Sequence, residues 1–141
     1  MPTFLFDSIV FGPVHSRRLG VSLGINLLPV TRKVCSYNCI YCECGWTPDK
    51  PDSKEKLPSR RQVRDALRKK LSEMKEQGKA PDVITYAGNG EPTLHPDFAG
   101  IIDDSLTLRD EFFPAAKVSV VSICSMLHRE SVREALKRVD Q

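Results

Sequence analysis

Val21-Ser22-Leu23-Gly24-Ile25-Asn26-Leu27-Leu28-Pro29 alternates apolar with small or polar residues in the two-residue period of a β-strand, and Pro29 closes it. The rest of the chain decides how that strand is used. A loop with four cysteines between Cys35 and Cys44 follows at once, and the polar stretch from Thr47 to Pro58, with three prolines, reads as an irregular connection. Ser59 then offers an N-cap with Gln62 three residues on. Val63, Ala66, Leu67, Leu71 and Met74 recur at helical spacing until Gly78 supplies a stop. Asp82 to Ala87 holds the β-branched run of a buried strand and passes into the turn Gly88-Asn89-Gly90-Glu91-Pro92. A second helix is expected over Asp97 to Phe112, ended by Pro114, and a third strand over Lys117 to Ile123. A last helix follows, with Ser131 and Glu134 as a capping box and Val132, Ala135, Leu136 and Val139 on its apolar side. The order strand, helix, strand, helix, strand, helix, with near-continuous apolar strands, predicts an α/β fold with parallel pairing.

With 40% hydrophobic and 28% charged residues in 141, the composition is that of an ordinary globular domain, which disfavours disorder, collagen and coiled coil. No run of 18 apolar residues occurs, and Met1 to Val10 lacks a basic leader region, so no membrane partner and a cytoplasmic location are expected. The net charge of +3 is unevenly spread. Lys54 to Lys79 carries ten Lys or Arg against four Asp or Glu, which reads first as a solvated helix face and second as a surface for a polyanion. Arg17 and Arg18 are suited to gripping a carboxylate or phosphate, or to pairing with acidic residues.

Five cysteines is an odd number, and four of them crowd into ten residues, a spacing that suits metal chemistry better than a disulfide framework; Cys124 stands apart. Cys35, Cys39 and Cys42 on one loop after a strand can converge on an iron–sulfur cluster. Three thiolates leave one iron open to a further ligand, and an open position separates catalytic from structural metal sites. The rival is a zinc knot that also takes Cys44, although zinc ligands usually come as two separated pairs. The glycine turn lies at the carboxyl end of a strand, where open α/β sheets place ligands. Its glycines admit close backbone approach, and the Glu91 carboxylate suits an ammonium rather than a phosphate. His95, before Pro96, reads as a loop residue.

Cys35-Ser36-Tyr37-Asn38-Cys39-Ile40-Tyr41-Cys42 resembles the C-x3-C-x-aromatic-C signature of the radical S-adenosylmethionine (SAM) superfamily, and Gly88-Asn89-Gly90-Glu91-Pro92 resembles its GGEP motif. The opening from Phe11 to Asn26, with Gly45-Trp46-Thr47 and Leu94 to Phe98, is similar to the Fe–S oxidoreductase group related to the tRNA wyosine-forming enzymes. The resemblance implies a [4Fe–4S] cluster on Cys35, Cys39 and Cys42, with SAM as the second cofactor. Tyr41 would lie beside the adenine, and Gly88, Asn89, Gly90, Glu91 and Ser122 would lie at the polar end of SAM. Flavodoxin or ferredoxin would supply an electron, SAM would split to methionine and a 5′-deoxyadenosyl radical, and tRNA is a candidate for the molecule modified. It further implies a partial (β/α) TIM-type barrel of about six units. Residues 1–141 would be its N-terminal portion and form the first three. One departure is Ser122-Ile123, where that family usually has Ser-Asn at the end of the third strand. The alternative is an inactive cluster-binding or zinc-binding module that docks on RNA through the basic helix.

Overall fold

The structure, a computed structural model, describes residues 4–47 and 57–141. Four strands and three helices alternate in a mixed α/β fold: β1 (Val10–Ser16), β2 (Gly20–Ile25), α1 (Arg60–Glu76), β3 (Val83–Tyr86), α2 (Phe98–Phe112), β4 (Lys117–Val120) and α3 (Glu130–Arg138). They build one open sheet in the order β1-β2-β3-β4, with β2, β3 and β4 parallel through the α1 and α2 crossovers. No closed barrel is formed among the described residues. Lys54 and Lys56 of the basic segment, and most of the Thr47 to Pro58 connection, lie outside them.

The helices cover one face because alternate strand residues point there. Leu23, Ile25, Ile84, Tyr86 and Val118 pack under Val63, Leu67, Leu71 and Met74 of α1, Phe98, Ile101 and Ile102 of α2, and Val132 and Ala135 of α3. The other face carries small residues. The Ser22 and Thr85 hydroxyls are hydrogen-bonded across it at 2.9 Å, and the Phe11 ring lies so close to Gly24 that a methyl group there would sit 2.1 Å away.

Strand β1 is an addition to the expected pattern. It pairs antiparallel with β2 at the sheet edge, and its register shifts between Phe11 and Val14, around Gly12-Pro13. Proline is tolerated in a strand at such an edge bulge, where its missing N–H costs no ladder bond. Two strands are shorter than their apolar runs. β2 stops at Ile25 because the Asn26 side chain bonds both backbone groups of Leu28 and turns the chain out of the sheet. β4 stops at Val120, and Ser122 and Ile123 turn their donors to Glu91 instead of a ladder.

Helix α1 begins as its sequence predicts. Ser59 Oγ accepts from the Gln62 N–H at 3.1 Å and the Ser59 N–H donates to Gln62 Oε1 at 2.8 Å. Ser59→Ala removes half of this reciprocal cap and is expected to cost about 1 kcal/mol, read as a lower urea midpoint at unchanged slope. The box expected at Ser131 and Glu134 is not formed. Helix α3 starts at Glu130 with no side-chain cap, and Glu134 pairs instead with Lys137 at 2.9 Å, one turn along the exposed face.

Much of the basic face of α1 is turned to α2. Arg60 forms a two-bond pair with Asp104 at 2.8 and 2.9 Å, Arg68 meets Glu111 at 3.1 Å, and Lys75 donates to the Phe112 carbonyl. The Arg60 guanidinium, against a smaller opposing effect of burial, holds the Asp104 carboxyl below its ordinary value. Stability from this pair is therefore complete above the unfolded carboxyl value of about 4 and is lost as pH falls through the lower folded value. Asp104→Asn is expected to flatten the stability profile in that acid window and leave its shape near neutrality unchanged. Urea midpoints measured across a pH series check this.

Candidate active site at the carboxyl ends of the parallel strands

Three loops meet at the carboxyl ends of β2, β3 and β4: the cysteine loop, the glycine turn, and the segment after β4. Their junctions are backbone-to-backbone or through buried side chains. The Val34 N–H donates to the Asn89 carbonyl and the Glu91 N–H to the Val34 carbonyl, both at 2.9 Å, so the start of the cysteine loop lies against the turn like a one-residue strand. Gly90 is indispensable to this approach. Its φ is +136°, and a Cβ there would stand 1.8 Å from the Val34 carbonyl oxygen.

Glu91 is the tie between the turn and the third loop. Its buried carboxylate accepts from Thr93 Oγ1 and Ser122 Oγ at 2.5 Å each and from the Ile123 N–H at 2.8 Å. An ionised carboxylate offers about four acceptor positions, so one is left for a ligand. Ser36 and Ser125 hydroxyls join the cysteine loop to the third loop at 3.1 Å. The N-terminal segment closes the back: the Phe4 N–H donates to the Glu43 carbonyl at 2.7 Å.

Between the loops is a cavity of about 310 Å³. Cys35, Cys39, Cys42, Tyr41, Gly88, Gly90, Glu91 and Ser122 all line it, so eight of the nine site residues expected from the sequence come together. Asn89 is the exception and does not line the cavity. It is fully buried, accepts from the Phe6 N–H, and donates to the carbonyls of Phe6 and Pro29, which ties the N-terminal segment down. Both N–H groups of its amide are thereby committed within the protein. Ser122 lines the wall, yet its hydroxyl is committed to Glu91 and to the Cys124 N–H. Ile123, in place of the amide, presents a partly exposed apolar side chain to the cavity and bonds through its backbone. His95 is a structural link, its ring bonding the Pro58 carbonyl and the Asp97 N–H. Arg17 and Arg18 make no ion pair among the described residues.

The thiols differ in their surroundings. Burial acts against ionisation of Cys42, but the Cys44 backbone N–H and the Lys33 ammonium outweigh it and hold the thiol below its usual range. Burial, and then the neighbouring Cys42, push Cys44 up to about 11, and its Sγ faces the Gly88 carbonyl at 3.4 Å. Tyr41 is largely exposed at the mouth, and Cys39 beside it raises its hydroxyl above the ordinary value. Lys33 was missed by the sequence reading. Its only signal was its place two residues before Cys35, where a lysine ordinarily reads as solvated surface.

Among the described residues no three Cys, His, Asp or Glu are gathered closely enough to hold a metal ion. The expectation of a ready-made metal-binding group on Cys35, Cys39 and Cys42 is corrected accordingly. The thiols share a cavity but take local partners, Tyr41 for Cys39, Lys33 for Cys42 and Gly88 for Cys44. No helix among the described residues is long and apolar enough to cross a membrane.

The fold and site define an α/β protein with a thiol-lined cavity at the carboxyl edge of its sheet. Among known proteins the chain is similar to a UPF0026 protein of Helicobacter pylori, 36% identical over 132 residues that cover 94% of this chain and 40% of that protein. A UPF0026 protein of Methanocaldococcus jannaschii is 33% identical over 133 residues, 94% of this chain and 38% of its own length. A protein of Brachyspira hyodysenteriae named GTPase Obg is 38% identical over 131 residues, 93% of this chain and 18% of that protein. The chain therefore spans less than half the length of these relatives. No G-x4-G-K-[S/T] phosphate loop occurs in this sequence. No protein-family model and no solved structure matches the chain. These findings overturn the assignment to the radical SAM superfamily and its Fe–S oxidoreductase group: the Helicobacter pylori and Methanocaldococcus jannaschii relatives carry the name UPF0026, and no family model of that superfamily matches. The motifs behind that assignment are short strings, and short strings match by chance across lineages.

Proposed function

We propose that this cavity seats a [4Fe–4S] cluster on Cys35, Cys39 and Cys42 and serves the reductive cleavage of S-adenosylmethionine. The observation that carries the reading is the meeting of those three cysteines with Tyr41, Gly88, Gly90 and Glu91 around one cavity at the carboxyl ends of parallel strands. The donors suit the group. Three cysteine thiols in the lining of one cavity are the donor type that a [4Fe–4S] cluster takes, one thiolate to each of three irons. A cluster held there and reduced by a donor such as flavodoxin or ferredoxin would supply the one electron that splits the SAM sulfonium carbon–sulfur bond into methionine and a 5′-deoxyadenosyl radical able to take a hydrogen atom from substrate.

The chain's own residues bind, orient and exclude water. The remaining acceptor position of Glu91 and the backbone at Gly88 and Gly90 receive an ammonium. The exposed Tyr41 ring offers a face to adenine, and Val121 and Ile123 keep that side of the cavity apolar. Five free thiols suit a reducing compartment such as the cytoplasm. We further read the sheet as the opening units of a larger partial β/α barrel. In support, the Asp140 N–H donates to the Val118 carbonyl and the Gln141 carbonyl accepts from the Val120 N–H, so the chain after α3 already runs along the outer edge of β4. The test is anaerobic loading with iron and sulfide, then reduction in the presence of SAM. Methionine and 5′-deoxyadenosine in equal amounts are expected; a reduced cluster that leaves SAM intact refutes the reading.

A further inference from the structure

We propose that Lys33 is the fixed counter-charge of this cavity, a positioning residue that stabilises the reduced, more negative state of the cluster; the inference rests on the function proposed above. Lysine is almost never fully buried without a partner, yet Lys33 is only 2% exposed. No carboxylate pairs with it among the described residues. Its ammonium donates to the Gly45 carbonyl at 3.1 Å and lies beside Cys42, in the wall of the cavity that Cys35 and Cys39 also line. Among the described residues its partners are one carbonyl and the Cys42 sulfur, so the negative charge available to this buried cation is a thiolate of the cavity.

The backbone holds this charge in place. Lys33 precedes Val34, whose N–H and carbonyl are both bonded to the glycine turn, and follows the segment pinned by Asn89 at Pro29. The backbone that carries Lys33 is thereby fixed, and the ammonium itself is held by burial and by its bond to the Gly45 carbonyl. Each electron added to a cluster on three thiolates adds a negative charge, and a nearby positive charge in a weakly screened cavity favours that state. Loss of the charge should make the cluster harder to reduce without changing which thiols hold it.

The test compares loaded wild-type protein with Lys33→Met, Lys33→Gln and Lys33→Arg by redox titration followed by electron paramagnetic resonance. At a fixed potential the neutral variants are expected to show roughly a tenfold lower ratio of reduced to oxidised cluster, equivalent to about 59 mV for one electron. Lys33→Arg should stay near wild type. Lys33→Gln keeps a donor for the Gly45 carbonyl, so it separates loss of charge from loss of the hydrogen bond. Equal midpoint potentials in wild type and either neutral variant overturn the inference. So does failure of both neutral variants to hold a cluster that wild type and Lys33→Arg hold, because the charge would then serve assembly rather than reduction. A wild-type chain that takes up no cluster overturns the parent reading, whatever the variants do.

Discussion

Cys39→Ala protein, loaded anaerobically beside wild type, is expected to lose the iron–sulfur cluster and with it all detectable cleavage of SAM. Cys39 is the middle thiol of the loop, and two thiolates cannot anchor three corners of a cubane. The control is built into the chain. Cys124 is exposed and does not line the cavity, so Cys124→Ala should load and react as wild type. Cys44→Ala is the sharper comparison, because Cys44 shares the cavity, yet burial and Cys42 hold it as a neutral thiol facing the Gly88 carbonyl. Retention of iron and sulfide in Cys44→Ala with loss in Cys39→Ala would mark a three-thiolate site. Full loading of Cys39→Ala would remove the basis of the proposal.

The second large effect is expected from Gly90→Ala. At φ +136° a residue with a Cβ is strained by about 1–3 kcal/mol from backbone conformation alone. The clash is added to this: the new methyl would lie 1.8 Å from the Val34 carbonyl oxygen and 3.0 Å from a Leu28 methyl. Relief requires the Val34 junction to open, which loosens the cysteine loop, the neighbouring Lys33 and the Glu91 N–H bond together. The variant should therefore unfold at a clearly lower urea concentration and bind the cluster poorly even where it folds. A midpoint within the range of a neutral surface substitution, about 0.5 kcal/mol, would show that the junction does not hold the site together.

Both predictions concern features that the sequence exposes well, since cysteine and glycine carry their roles in residue type. A thiol is a soft donor and a glycine is free to take positive φ wherever the sequence places them, although the surroundings then set how readily each thiol ionises. The capping box at Ser59 was legible for the same reason, being local and reciprocal. Strand β1 was hidden because Gly12-Pro13 interrupts its alternation and only its place at an edge makes that tolerable. The uses of Asn89 and Lys33 were not legible at all. Asn89 sits inside a ligand-like turn but serves Phe6 and Pro29, far away in sequence, and Lys33 looks like surface until the loop folds it inward. Glu91 was expected to face a ligand; three of its acceptor positions instead brace Thr93, Ser122 and Ile123. That division of labour depends on β4 ending where it does, which the apolar run to Ile123 conceals.

The most direct measurement is Mössbauer spectroscopy of the iron-loaded protein before and after SAM is added. If Cys35, Cys39 and Cys42 hold a cubane with an open corner, a single iron site changes its parameters on addition while the others stay fixed. Spectra identical with and without SAM, or protein that takes up zinc in place of iron and sulfide, would contradict the account.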